Sequence, residues 1–237
     1  SEEDKVLEEL KRLLEELLRK HEEVLKEIKE LLDKIIKKHE ESLRRIKKLA
    51  EEIKERAKKP TSDEVLEEIE RRLRREEEEN EKILRELRRE IEEARRRSEE
   101  ILRRLRDKLR RLEERVRDDE LLRRAAEIVD RVLKVHDKVI DDLKKILETI
   151  LKIHKEVVER LSDIIRELLE LIKEGRDGKT LTEELKRIED KLEELIRRSK
   201  DELDKIVREA EKIIEESKRR LEKLLRELER IIEDAKR

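Results

Sequence analysis

Residues 6–35 read VLEELKRLLEELLRKHEEVLKEIKELLDKI, and the apolar pattern of this stretch recurs after eighteen residues. The matching positions are Val6 and Val24, Leu7 and Leu25, Leu10 and Ile28, Leu13 and Leu31, Leu14 and Leu32, and Leu17 and Ile35. Eighteen residues make five whole turns at 3.6 residues per turn, so the apolar stripe stays on one face of a helix. Seven-residue and eleven-residue repeats produce left-handed and right-handed supercoils. The eighteen-residue repeat therefore predicts a nearly straight helix.

Polar residues interrupt the apolar stripe at the same spacing in four stretches of the chain. The pairs are His21 and His39, Asn80 and Ser98, His136 and His154, and Ser199 and Ser217. Each of these residues lies near the middle of its apolar arc when residues are placed 100° apart around a helix. We therefore expect all eight to point towards the centre of a helical bundle.

The composition excludes several classes of protein. The chain has 237 residues, of which 58% are charged and 34% hydrophobic, with no Phe, Trp, Tyr, Met or Cys. Lys and Arg number 68 against 70 Asp and Glu, so the basic excess typical of a nucleic-acid binder is missing. Without cysteine there is no disulfide or thiolate chemistry. No apolar run is long enough to span a membrane.

Three breaks divide the chain into four helices. They lie around Pro60, at residues 117–120, and at the two glycines Gly175 and Gly178. The break at residues 117–120 contains no Gly, and a continuous helix through it is the alternative. The predicted helices are about 2–58, 63–117, 120–174 and 181–236. Short connections make neighbouring helices antiparallel. The prediction is one all-α domain over residues 1–237, an elongated up-down-up-down four-helix bundle.

Hydroxyl residues in the breaks are candidates for helix caps. Thr61 or Ser62 can cap the second helix, and Thr61 with Glu64 fits a capping box. Thr180 with Glu183 offers the same arrangement before the fourth helix.

Reflecting residue numbers through the three breaks sorts the eight polar residues into two layers. The first layer is His21, Ser98, His136 and Ser217, and the second is His39, Asn80, His154 and Ser199. A neutral imidazole has one donor and one acceptor, and a hydroxyl can serve as both. We expect each layer to close into a hydrogen-bonded ring, which a shifted register would break. The layers would thus specify helix pairing and register.

With these repeats, polar layers and a restricted alphabet, the whole chain resembles computationally designed helical bundles that carry buried hydrogen-bond networks. Some members of that class are helical hairpins that pair as specific heterodimers, and two such hairpins joined through residues 117–120 would give this chain. The resemblance implies a designed scaffold or assembly block without enzymatic activity. It also implies no natural compartment, only a soluble chain in the cytoplasm of an expression host.

Metal or haem binding is the main alternative for the histidines. His21 with His136, and His39 with His154, are expected at matching heights on diagonal helices, and Glu76 could add a carboxylate ligand. Against this, no Gly and little Ala lies near them to make room for a porphyrin, and the chain has no aromatic residue to pack against one. Catalysis by Ser and His would need substrate access, which a sealed apolar core does not provide.

The third helix has the widest apolar arc, which admits two interpretations. Val135, Ile153 and Leu171 could lie deep in the bundle or could form an additional surface for a partner. A wide arc is ordinary for a core-facing helix, so we expect burial.

Together these features predict a structural protein. We assign no catalytic, cofactor-binding or metal-ligating residue, and we expect no cofactor and no nucleic-acid, membrane or small-molecule partner. A monomer is the first expectation. A homo-oligomer or a designed protein partner that completes an apolar face is the alternative.

Overall fold

The computed structural model describes residues 1–175 and 178–237, and their secondary structure is helical. The helices are α1 (Glu2–Ala57), α2 (Asp63–Arg115), α3 (Glu120–Lys173) and α4 (Gly178–Lys236). The prediction of an all-α four-helix bundle is confirmed, and every helix bound lies within three residues of its predicted position. That the whole chain forms a single domain stays a prediction.

The connection between α1 and α2 differs from the predicted capping box. The Thr61 hydroxyl donates to the carbonyls of Arg56, at 2.7 Å, and Lys59, at 3.0 Å. Its single O–H is therefore shared between a carbonyl in the last turn of α1 and one in the turn that follows. The first turn of α2 is instead closed by the backbone bond from Leu66 N to Ser62 O.

The other helix ends are closed in different ways. Asp119 caps α3, because its carboxylate accepts the Leu122 N–H at 3.2 Å. Gly175 follows α3 with φ of +64°, a left-handed conformation that glycine adopts without strain. The predicted cap at Thr180 is wrong, since α4 already begins at Gly178. Two residues of that break, Arg176 and Asp177, lie outside the described residues.

One compact unit contains a segment of each helix, from residues 1–31, 90–147 and 208–237. Ion pairs join its α1 and α2 segments: Glu9 with Arg115, Glu16 with Arg104, and Glu27 with Arg97. Residue numbers rise along α1 as they fall along α2, so these helices are antiparallel. Exposed ion pairs contribute only about 0–1 kcal/mol each, so they order the surface more than they stabilise it.

The second compact unit comprises residues 32–89 and 148–207, again with a segment of each helix. Its ion pairs connect α1 with α2, α2 with α3, α3 with α4, and α4 with α1. The corresponding pairs are Arg45–Glu76, Glu70–Lys173, Glu167–Arg187 and Lys54–Glu189. Each helix therefore has two neighbours at the surface, and α1 lies diagonally opposite α3.

The wide arc of α3 is buried. Val135 is 7% exposed, Ile153 8% and Leu171 7%. The interpretation that α3 lies deep in the bundle is confirmed, and the additional partner surface through these residues is wrong. In the part of the chain that the structure describes, no large hydrophobic side chain is exposed.

Candidate functional site

His21 of α1 and His136 of α3 meet in the core of the first compact unit. Their Nδ1 atoms are 2.5 Å apart, and the rings meet edge to face at 72° with centroids 4.8 Å apart. His21 is 3% exposed and His136 is fully buried. A neutral imidazole carries one N–H and one lone pair, so one Nδ1 donates and the other accepts. The structure thus joins the two histidines that the sequence placed on diagonal helices.

The serines of the same layer do not close the expected ring. Ser217 donates its hydroxyl to the carbonyl of Ile214 in its own helix, at 2.8 Å. Buried Ser98 Oγ has no hydrogen-bond partner, and neither has Nε2 of His21 or His136. A serine hydroxyl easily reaches the carbonyl three residues earlier in a helix, so it competes with cross-helix bonds. The expectation of a closed ring is therefore wrong for this layer.

The second compact unit contains a longer hydrogen-bonded chain. His39 Nδ1 and His154 Nδ1 are 2.7 Å apart, and His154 Nε2 lies 2.5 Å from Asn80 Oδ1. The amide oxygen can only accept, so His154 carries its proton on Nε2. Its Nδ1 is then the acceptor, and His39 donates from Nδ1. Asn80 thereby determines the tautomer of both rings.

The remaining groups of this layer again leave the ring open. Ser199 donates to the carbonyl of Ile196 at 2.9 Å, and buried His39 Nε2 has no hydrogen-bond partner. Two further buried serines, Ser42 and Ser162, were not among the predicted polar positions. They lie three and eight residues after His39 and His154, on the same helix faces. A search for every polar residue on the apolar arcs would have found them, whereas the eighteen-residue step did not.

Burial makes all four histidines poor bases. It lowers the pKa of His21 and His39 from 6.5 to about 4. Burial lowers the pKa of His136 and His154 further, to about 3, with a smaller contribution from the charge of the neighbouring histidine. Removing a charged group from water disfavours its charged form. The four rings are therefore neutral at pH 7.

The spacing of the histidine pairs suits a hydrogen bond. Two nitrogen ligands of a tetrahedral zinc, each about 2.0–2.1 Å from the metal, are about 3.3 Å apart. The observed 2.5 Å in the His21–His136 pair is shorter. Glu76, considered as a further ligand, binds Arg45 at 2.8 Å. Among residues 1–175 and 178–237, no cluster of three or more His, Cys, Asp or Glu could hold a metal ion.

Comparisons with known proteins identify no relative of this chain. No protein-family model matches the chain, and neither a curated protein nor a solved structure matches it significantly. No described helix has both the length and the apolar composition that crossing a membrane requires.

Proposed function

We propose that the chain is a designed structural scaffold or assembly block without enzymatic activity, in which the buried polar layers select helix pairing and register. The observation that carries this proposal is the pair of Nδ1 contacts between α1 and α3. Both contacts join residues 115 positions apart in the chain, and each lies in a different compact unit. The repeated separation follows the eighteen-residue repeat, and such regularity supports a designed origin.

The selection of register has a simple energetic basis. Leu, Ile and Val layers tolerate exchange with one another, so an apolar core alone discriminates weakly between shifted arrangements. A shift of α3 against α1 would place a buried imidazole against aliphatic carbon. Each unpaired buried polar group would then cost about 1–3 kcal/mol. The native register satisfies the Nδ1 atoms of all four histidines. A shift by less than the eighteen-residue repeat would satisfy none of them, and a shift by one whole repeat would pair only two of the four.

The absence of catalysis is part of the proposal. The four histidines are at most 3% exposed. Ser98, the layer residue with an unpartnered hydroxyl, is 1% exposed, so its hydroxyl has no route to a substrate in solvent. The structure therefore supports a structural role for these groups.

Pulsed electron–electron resonance between two spin labels tests the role in register. The chain has no cysteine, so Glu22→Cys and Lys138→Cys give labels only on exposed sites of α1 and α3. The parent should show one narrow distance. Replacing the four histidines and Asn80 by Leu should add further distances. In that variant a shifted register no longer leaves a buried polar group without a hydrogen bond, so it costs little free energy.

A matched variant keeps the polar layers and alters apolar layers seven residues away. Its substitutions are Leu14→Ile, Leu143→Ile, Leu32→Ile and Leu161→Ile, all at buried positions. This variant should keep the single distance of the parent. If the variant without polar layers also keeps that one narrow distance, the proposed role of the histidines in selecting the register is wrong.

A further inference from the structure

A groove between α3 and α4 in the first compact unit has an unusual excess of positive charge. Its volume is about 530 Å³. Its floor contains Val135 and Leu224, and Glu227 is its one carboxylate. Five cationic side chains complete its walls: Arg131, Lys134 and Lys138 from α3, and Arg220 and Lys223 from α4. We call this the basic groove.

Two other grooves between α3 and α4 have the same construction and a different charge. In each of the three, both helices contribute residues spaced i, i+3, i+4 and i+7, with an apolar residue at i+4. The groove formed by residues 124–131 and 227–234 has three cations and three carboxylates. The groove formed by residues 160–167 and 191–198 has the same balance. The geometry of the bundle therefore does not require five cations.

Ion pairs connect α3 and α4 at the balanced groove of the second compact unit. Glu167 of α3 accepts from Arg187 at 3.2 Å and lies 3.6 Å from Lys191, both on α4. In the basic groove, the structure shows no ion pair between α3 and α4 among the described residues. Lys134 pairs within its own helix, with Asp130 at 3.0 Å. Cations therefore outnumber carboxylates on both walls of this groove, which opposes packing of the two helices.

We propose that the basic groove binds a small organic anion with an apolar body. Half-buried Leu224 and the edge of Val135, which is 7% exposed, supply a narrow apolar floor. The cations supply the complementary charge for a carboxylate, sulfonate or phosphate group. The groove follows about two turns of each helix, roughly 10 Å of axis. Its neighbour along the same helices is charge-balanced, so a long polyanion would meet no further excess of cations. This inference is independent of the proposed function.

Naphthalene-2-sulfonate is a suitable probe, and neutral 2-naphthol is its uncharged counterpart with the same ring system. The chain has no aromatic residue, so the naphthalene fluorescence is observed without background from Tyr or Trp. In a fluorescence anisotropy titration at low ionic strength, we expect one equivalent of the sulfonate to bind. The naphthol should bind at least tenfold more weakly. Salt should weaken the sulfonate complex by screening the exposed cations.

Reciprocal charge exchanges between two grooves give matched variants. Lys134→Asp with Lys223→Glu gives the basic groove three cations and three carboxylates, and should reduce sulfonate affinity at least tenfold. Asp163→Lys with Glu194→Lys gives the second unit's groove five cations and one carboxylate, and should add a second equivalent. Circular dichroism checks that both variants remain helical.

Three results would overturn the inference. The first is unchanged sulfonate affinity in the Lys134→Asp, Lys223→Glu variant, and the second is a failure of the converse variant to bind a second equivalent. The third is a complex with long polyglutamate that is tighter than the sulfonate complex and is lost in the same variant, which would indicate an acidic peptide as the ligand.

Discussion

Acid should destabilise this protein through its four buried histidines. Their folded-state pKa values are about 4 for His21 and His39 and about 3 for His136 and His154, against 6.5 for an exposed imidazole. Between these values the unfolded chain binds more protons than the folded protein. The free energy of unfolding therefore keeps its full value above about pH 6.5, and it falls as the pH falls towards the folded-state pKa values.

The size of this effect depends little on the folded-state pKa values. At pH 5, protonation of an imidazole with pKa 6.5 stabilises the unfolded chain by about 2 kcal/mol per histidine. If the folded-state pKa is below about 4.5, the folded protein gains little from protonation at pH 5, so most of this stabilisation of the unfolded chain remains. Four histidines should therefore lower the free energy of unfolding by about 8 kcal/mol between pH 8 and pH 5. Such a loss is comparable with the whole stability of a typical domain, about 5–15 kcal/mol.

Guanidinium denaturation at pH 8, 7, 6 and 5 measures this loss. The control is the variant in which His21, His39, His136 and His154 are replaced by Leu, because its carboxylates titrate as in the parent. The parent should lose about 8 kcal/mol more than this control, and the double variant His21→Leu, His136→Leu should remove about half of the excess. An excess below about 2 kcal/mol would mean that the histidines are not buried as neutral rings.

Three further outcomes are expected. In ¹⁵N NMR at pH 7, His154 should carry its proton on Nε2 and His39 on Nδ1, and the opposite tautomers would contradict the bond to Asn80. Ser98→Ala should change the free energy of unfolding by less than about 1 kcal/mol in denaturant melts, because the hydroxyl has no partner to lose; a larger loss would reveal a hydrogen bond. Light scattering should give a mass near 29 kDa at every concentration, since the described surface exposes no large hydrophobic side chain, whereas twice that mass would indicate a dimer.

Much of the architecture could be predicted because it follows from counting residues. A repeat of five whole helical turns keeps the apolar stripe on one face, and Pro60 and Gly175 interrupt helices for reasons of backbone geometry. With the breaks known, reflection of residue numbers places His21 at the height of His136. The structure brings these two residues together for a simple reason. Every helix rises by the same distance per residue and successive helices run antiparallel, so the position of a residue in the sequence gives its height in the bundle.

The hydrogen bonds in the core could not be predicted from the spacing of residues in the sequence. Whether a buried hydroxyl binds another helix or its own backbone is decided by small differences in distance and rotamer. Ser217 binds Ile214 and Thr61 binds the end of α1, although the pattern suggested other partners. The same limit applies to Asn80, whose bond to His154 depends on how closely α2 approaches α3.

The sequence by itself determined four helices, their lengths and order, and the heights at which polar residues enter the core. Only the tertiary structure decided which polar atoms meet there and which surface charges face one another across a groove. The physical reason is that helical periodicity depends only on residues close together in the sequence. Contacts such as His39–His154, and the crowding of Lys138 and Lys223 in one groove, arise only when distant helices pack at a particular rotation.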